Sequence, residues 1–249
     1  MNIDFDKLAG FVACMVWWST SDVAAQSTGW RIEAESPQTR VLLRGDTVDI
    51  TTAAGLSLWW AELLSMPCEV SYRACVVVDG GICDRLSDLN SFFMASDPNA
   101  NTTVAVSPEV ASTAGGAGYS PLHGIAQRGG RFVESYRLQC YYLGYGGNYN
   151  STTRFRRYEA DTLGVESMEH RPPVLVEYTD SLHLLTPNHW YDIHITAVPE
   201  GTAARIRYVV DGKCIIDYLD PSPLLQGWFA IRTTWSHLRL TQFSILQSQ

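Results

Sequence analysis

The sequence predicts an all-β protein, a two-sheet antiparallel β-sandwich with long loops. Short runs rich in β-branched and aromatic residues recur along the chain, turn residues separate them, and no long segment keeps apolar residues at helical spacing. Without interleaved helices, a sandwich or jelly roll is favoured over a parallel α/β sheet. A chain of 249 residues with 46% apolar residues is long enough for one large core.

Hairpin signals, β-rich runs that meet a turn dipeptide, occur three times. They lie at Gly45-Asp46 within residues 40–51, at Asp79-Gly80-Gly81 after residues 68–78, and at Asp211-Gly212 within residues 205–218. Asp-Gly sequences tolerate the positive φ angles of tight turns, so we expect a hairpin at each place.

Other segments are assigned by their periodicity. Residues 191–198 alternate apolar and polar side chains, which is typical of a strand with one buried face. Residues 131–145 and 152–158 are predicted as paired strands joined by a glycine- and asparagine-rich turn. In residues 87–95 the spacing of the apolar side chains indicates one or two helical turns.

The first residues are typical of an export signal. The apolar run of residues 8–18 is too short to span a bilayer, and small residues at 23–25 suit a signal peptidase. We therefore expect a signal peptide over residues 1–25, a single domain over residues 26–249, and a secreted or periplasmic location. We expect a monomer.

Long loops and cysteines add two open questions. Residues 96–118 and 158–173 are too long for simple turns, so each either borders a binding site or is a surface insertion. Six cysteines without zinc spacing indicate mostly buried thiols, and Cys75 and Cys83 are the pair placed for a disulfide.

The charge of the chain restricts its partners. A net charge of −8 and a pI near 5.2 argue against a general nucleic-acid or anionic-membrane binder, which needs a basic surface. The sequence contains no nucleophile elbow, P-loop, dinucleotide fingerprint or zinc-protease motif. We expect no metal ligand set and no cofactor, with a structural calcium ion left open.

Three groups of residues suit carbohydrate chemistry. The first is Asp84, Arg85, Asp88 and Asn90, whose carboxylates, guanidinium and amide can read vicinal hydroxyls. The alternative for this group is a helix cap at Ser87 or Asp88.

The second group follows the glycine-rich turn at residues 146–151. Alternation places Arg154, Arg156 and Tyr158 on one face of a strand, where planar guanidinium groups could hold a carboxylate and a tyrosine could stack on a sugar ring. Asn150 in the turn is a further candidate for substrate binding. The alternative is an internal ion-pair ladder with Glu134, Glu159 or Asp161.

The third group lies near the C-terminus. Alternation points Arg232 away from the core, opposite Phe229 and Ile231. His237 follows as a candidate general base near neutral pH, and the alternative is a hydrogen-bonded histidine with a structural role. Tryptophans are further candidates as sugar platforms, although each is equally suited to filling a core. These are Trp59, Trp60, Trp190 and Trp235.

Taken together, three segments resemble a family of secreted, concanavalin-A-like bacterial proteins of polysaccharide-utilisation systems. They are Asp84-Arg-Leu-Ser-Asp-Leu-Asn90, Asn148-Tyr-Asn-Ser-Thr-Thr-Arg-Phe-Arg-Arg-Tyr158 and Arg232-Thr-Thr-Trp-Ser-His237. The resemblance covers residues 30–245 and implies a jelly roll whose concave sheet forms a carbohydrate groove.

The resembled family implies no particular activity. Jelly-roll polysaccharide lyases use arginine, asparagine or glutamine, tyrosine and histidine on the concave sheet, so the first hypothesis is an exported lyase that cleaves an anionic, uronic-acid-containing polysaccharide by β-elimination. From residue type and predicted face, Arg154, Arg156 and Asn148 or Asn150 would neutralise the uronate, His237 would be the base, and Tyr145 or Tyr149 the acid. Two alternatives remain open. One is a glycoside hydrolase that uses Asp84, Asp88 or Glu134, and the other is a glycan-binding protein without catalysis.

Overall fold

A computed structural model describes residues 29–98, 128–160 and 171–248. The expected signal peptide and most of the two expected long loops lie outside these residues. The strands are β1 (Trp30–Ala34), β2 (Arg40–Arg44), β3 (Thr47–Trp60), β4 (Leu64–Ser65), β5 (Cys68–Val76), β6 (Leu89–Ser96), β7 (Gln139–Gly146), β8 (Thr152–Glu159), β9 (Val174–Tyr178), β10 (Trp190–Glu200), β11 (Ala203–Val210), β12 (Lys213–Asp220) and β13 (Gln226–Gln247).

The strands form two antiparallel layers, which confirms the predicted fold class. The front sheet has the order β1-β3-β13-β6-β7-β8-β9, and the back sheet has the order β2-β3-β13-β5-β10-β11-β12. Strands β3 and β13 belong to both sheets because each changes partners along its length. In β13 the change falls at an irregularity between Thr234 and Ser236, where Trp235 has a φ of 45°.

Two of the three predicted hairpins are confirmed, since β2 pairs with β3 and β11 pairs with β12 around the expected turns. The third is wrong: β5 pairs with β10 and β13, and the chain after it crosses to the front sheet. The helical assignment of residues 87–95 is also wrong, because this segment is strand β6. The strand predicted over residues 131–145 begins only at Gln139, after a 3₁₀ helix at Val133–Arg137.

The main core lies between the two sheets. Leu143 and Phe155 of the front sheet pack there against Ile195 and Tyr208 of the back sheet. A second apolar cluster lies on the outer face of the front sheet, and its members are Trp59, Phe92, Ala95, Tyr136, Leu138, Cys140, Tyr142, Tyr158 and Ala230. The outer face of the front sheet, called the front face below, is therefore partly buried.

The five cysteines of the described residues are free, so Cys75 and Cys83 do not form the disulfide considered from the sequence. Burial raises the pKa of the Cys75 thiol and raises that of Cys140 further. No helix in the described part of the chain is long and apolar enough to cross a membrane.

Candidate functional site

A row of polar residues crosses the front face at one level. Strand register places these residues side by side on the seven strands of the front sheet, in the order β1-β3-β13-β6-β7-β8-β9. In order they are Glu33, Ser57, Arg232, Asn90, Gly144, Arg154 and Glu177. Their sequence neighbours, such as Leu56, Ile231 and Leu143, point into the core, so period-two alternation directs this row outward.

Arg232 and Asn90 form the centre of the row. They are directly opposite each other in β13 and β6, and they are only 1% and 3% exposed. Arg232 donates from Nη1 to the carbonyl oxygens of Leu56 and Thr233, both at 2.8 Å. Arg232 Nη2 and Asn90 Oδ1 have no hydrogen-bond partner among the described residues. A buried donor and a buried acceptor thus lie unpaired on adjacent strands, where an unmade hydrogen bond costs about 1–3 kcal/mol.

The electrostatic surroundings of Arg232 are mixed. Burial lowers the pKa of its guanidinium, and Tyr142 and the carboxylates of Asp88, Glu33 and Glu35 oppose this shift. Glu35 accepts a hydrogen bond from the Gly55 amide at 3.0 Å. Three carboxylates therefore lie near the centre of the row, and one of them, that of Asp88, is paired with Arg85.

Asp88 connects this centre to the edge of the sandwich. Asn90 Nδ2 donates to Asp88 Oδ1 at 3.3 Å, and Ser87 donates to Asp88 Oδ2 at 3.0 Å. Arg85 forms an ion pair with the same carboxylate and places its guanidinium carbon 5.0 Å from the centre of the Tyr149 ring. The first predicted group, Asp84 apart, is therefore brought together on the front face, and the helix cap considered as its alternative is absent.

A segment that crosses the front face limits access to the row. Residues 128–138, called the cover segment below, contain the 3₁₀ helix and pack Phe132 against Tyr142 and Tyr136 against Tyr158. The Arg232 guanidinium carbon lies 5.7 Å from the centre of the Phe132 ring. The Phe132 ring thus lies over the guanidinium, and its own side chain is only partly buried.

The second predicted group, Arg154, Arg156 and Tyr158, lies on the predicted strand face, but its side chains bind or pack against other parts of the protein. Arg154 donates from Nε to Glu177 Oε1 at 2.8 Å, and Arg156 donates to the carbonyl oxygen of Pro172. Tyr158 is fully buried in the outer aromatic cluster, so it offers no surface to a sugar ring. An internal ion pair therefore occupies Arg154, with Glu177 as a partner that the sequence did not indicate.

The roles assigned to three residues around the turn need correction. Tyr145 lies in the main core with its ring 5.4 Å from that of Tyr191, where burial also raises its pKa, so it does not face a ligand on the front face. Asn148 donates to Ser151 Oγ at 3.0 Å within the turn. Asn150 clamps the backbone of Leu185, donating at 2.9 Å and accepting at 2.7 Å. These asparagines shape the turn.

His237 is separated from the front-face arginines. Its strand neighbour Leu238 points into the core from the back sheet, so His237 lies on the outer face of that sheet. Its two ring nitrogens lie 3.0 Å from Asp49 Oδ1 and 3.1 Å from Asp84 Oδ1. The expected base is therefore not beside Arg154 or Arg156.

Asp84 also has a structural role. Its Oδ2 accepts hydrogen bonds from the amides of Asp79 and Gly81 at 2.8 and 2.9 Å. Partial burial alone would raise the pKa of Asp84, but these amides and His237 together lower it. The carboxylate therefore closes the loop after β5 and does not reach the polar row.

The tryptophans proposed as sugar platforms differ in exposure. Trp60 packs against the core with its ring 5.0 Å from that of Trp30, so it is not a platform. Trp59 is buried on the front face and donates to Glu33 at 3.0 Å. Trp190 is partly buried under Arg73 of the back sheet. Trp235 is 48% exposed beside the Arg85 side chain.

Sequence reasoning missed Glu33, Glu35 and the cover segment. Glu33 lies in the short first strand and Glu35 directly follows that strand, and neither carried a predicted role. Gly144 was also missed; it lies between Asn90 and Arg154, and the Tyr142 side chain fills the space where a Cβ would stand. Among the described residues, no group of three His, Cys, Asp or Glu side chains is placed to hold a metal ion.

Fold and site together define a lectin-like jelly roll with a polar row on one sheet face. The chain belongs to the family described as a domain of unknown function, DUF6250, whose model matches residues 50–243. This range contains Arg85, Asp88, Asn90 and Arg232. No curated protein matches the sequence.

Solved structures share the fold at low sequence identity. A Bacillus subtilis protein of unknown function with a galectin-like fold has a TM-score of 0.58 at 13% identity, over 88% of this chain and 89% of that one. The carbohydrate-binding module CBM66 from Bacillus subtilis has a TM-score of 0.51 at 13% identity, over 89% and 96%. A legume lectin-like domain from Entamoeba histolytica has a TM-score of 0.51 at 7% identity, over 89% and 91%. These similarities show the fold alone.

Proposed function

We propose that this protein binds a neutral glycan on its front face without cleaving it. The observation that carries the proposal is that two buried polar atoms on adjacent strands, Arg232 Nη2 and Asn90 Oδ1, have no hydrogen-bond partner among the described residues. A sugar with two vicinal hydroxyls can accept from the one and donate to the other, which removes both unmade hydrogen bonds at once. The carbohydrate-binding module among the structures of the same fold supports this choice.

Charge favours a neutral ligand over the anionic one expected from the sequence. Arg154 has Glu177 as its partner, and Arg156 has the carbonyl of Pro172. Asp88, Glu33 and Glu35 surround Arg232. An added uronate would meet these carboxylates in a poorly solvated site, whereas a hydroxyl group would not.

The described residues do not support β-elimination. His237 is on the back sheet, so the base of the lyase hypothesis does not face Arg232. Of the two acid candidates, Tyr145 is in the core and Tyr149 is exposed beside Arg85. The carboxylates of the hydrolase alternative are dispersed as well, because Asp84 closes a loop and Glu134 pairs with Arg137 at 3.5 Å. Binding without turnover fits the geometry better than either reaction.

Ligand entry requires a local movement. The Phe132 ring lies over the guanidinium that carries the unpaired Nη2, so a bound sugar must displace this ring and take over its contact with Arg232. The partly exposed Asp88 and Arg85, which adjoin Asn90, provide the polar route by which a ligand approaches from the edge.

Calorimetric titration of the purified protein with neutral hexasaccharides of β-1,4-linked glucose, mannose and xylose tests the proposal. We expect binding of at least one, and Asn90→Ala should weaken it about tenfold, or about 1.4 kcal/mol, because a ligand hydroxyl loses its partner. The matched control is Thr196→Ala, on the outer face of the back sheet, which should bind like the wild type.

Two results would contradict the proposal, one from this titration and one from an activity assay. If the wild type and Asn90→Ala bind the hexasaccharides with equal affinity, Arg232 and Asn90 do not form the binding site. A rise in absorbance from unsaturated products on uronic-acid polysaccharides would restore the lyase hypothesis in place of binding alone.

A further inference from the structure

Two aromatic side chains stand exposed at the edge of the polar row. Tyr149 is 78% exposed and Trp235 is 48% exposed, whereas every other Tyr and Trp of the described front sheet is buried or partly buried. Tyr149 belongs to the turn between β7 and β8, and Trp235 to the irregularity in β13. Aromatic rings held in solvent lose the stabilisation that burial gives them, so packing does not explain their positions.

Both residues have unfavourable backbone conformations. Tyr149 has a φ of 57° and Trp235 a φ of 45°, which is the left-handed region that bulky side chains rarely adopt. Local hydrogen bonds hold them there: Asn150 clamps the turn to Leu185, and Trp235 Nε1 donates to the carbonyl oxygen of Ile82 at 3.0 Å. Strain maintained around exposed aromatic rings is typical of binding sites.

Arg85 contacts both Tyr149 and Trp235 and connects them to the centre of the row. Its guanidinium lies against the Tyr149 ring, its Nε donates to the Trp235 carbonyl oxygen at 3.0 Å, and it pairs with Asp88. Asp88 in turn accepts from Asn90. A connected path of contacts therefore runs from the Tyr149 ring and the Trp235 backbone through Arg85 and Asp88 to the Asn90 side chain.

We infer that Tyr149 and Trp235 form a second sugar subsite, on which further units of the glycan stack while Arg232 and Asn90 hold the first unit. The flat faces of pyranose rings carry C–H groups that pack on aromatic rings, whereas Arg85 and Asp88 offer polar atoms to the hydroxyls between the two subsites. This inference rests on the proposed function. It defines the ligand as an oligosaccharide chain and not a single sugar.

The test compares a long and a short probe. Wild type, Tyr149→Ala and Trp235→Ala are titrated with the hexasaccharides of β-1,4-linked glucose, mannose and xylose by calorimetry. The matching monosaccharides are titrated by chemical-shift changes in NMR spectra, which measure millimolar affinities. Each variant should weaken hexasaccharide binding about tenfold, as exposed anchors at binding sites do, and leave monosaccharide binding within about twofold.

Two further variants separate stacking from folding. Tyr149→Phe keeps the ring and should bind the hexasaccharide like the wild type, since stacking does not need the hydroxyl. Leu246→Ala removes an exposed apolar side chain from the far end of β13 and should change neither probe.

The outcomes distinguish this inference from the proposed function. Hexasaccharide binding that survives both alanine substitutions would overturn the second subsite and leave the front-face pair as the site. An equal loss for the hexasaccharide and the monosaccharide would also overturn it, because both rings would then act on the first unit. A wild type that binds no probe would overturn the proposed function itself.

Discussion

Asp220→Ala should lower the free energy of unfolding by about 3–5 kcal/mol, the range for breaking a buried ion pair. Asp220 ends β12 of the back sheet and is 2% exposed. Its Oδ2 accepts from Tyr141 Oη at 2.6 Å and from Arg157 Nε at 2.8 Å, both in the front sheet. Removal of this carboxylate leaves the largely buried Arg157 with the exposed Glu159 as its ion-pair partner, deprives the buried Tyr141 hydroxyl of its acceptor, and removes one polar link between the two sheets.

Urea unfolding followed by circular dichroism measures this effect, with Asp217→Ala as the matched control. Asp217 lies on the same strand but is exposed, and its partners Arg205 and Arg207 are near the surface. Its loss should therefore cost only about 0–1 kcal/mol. Equal losses in the two variants would show that the Asp220 network does not tie the sheets together.

Gly55→Ala should lower the free energy of unfolding by about 3 kcal/mol, because it adds a methyl group where two backbones meet. A Cβ on Gly55 would lie far inside contact distance of the Gly130 carbonyl oxygen in the cover segment. It would also lie 2.9 Å from both Arg232 Nη2 and Glu35 Oε2. Either the cover segment leaves the front face or β3 shifts away from it.

Thermal and urea unfolding measure the loss, and trypsin cleavage after Arg131 and Arg137 reports on the cover segment, which should become more accessible. Gly147→Ala is the control, since its Cβ would have its nearest neighbour at 3.8 Å, and it should stay within about 0.5 kcal/mol of the wild type. A Gly55→Ala protein as stable and as resistant to trypsin as the wild type would show that the cover segment does not rest on β3.

Local patterns predicted the faces of strands well. Alternation placed Arg154, Arg156 and Tyr158 together and directed Arg232 away from the core, because the period of a strand is a local property. The turns at Gly45 and Asp211 were readable for the same reason. The segment that became β6 was misread as helical because both of its faces are buried, which removes the alternation that marks a strand.

Partners distant in the chain were not predictable. Asn90 and Arg232 become neighbours through the pairing of β6 with β13, and Arg154 finds Glu177 on the next strand. His237 follows Arg232 closely in the sequence, yet the irregularity at Trp235 carries the chain from the front sheet to the back sheet. A single strand that serves both sheets separates residues that its sequence places together.

A crystal structure of the protein with the tightest-binding neutral hexasaccharide tests the central proposal most directly. We expect a sugar unit on the front face with hydroxyl groups within hydrogen-bond distance of Arg232 Nη2 and Asn90 Oδ1, and the Phe132 ring displaced from the guanidinium. A sugar bound on the back sheet, or on the front face with both of these atoms still unpaired, would contradict it.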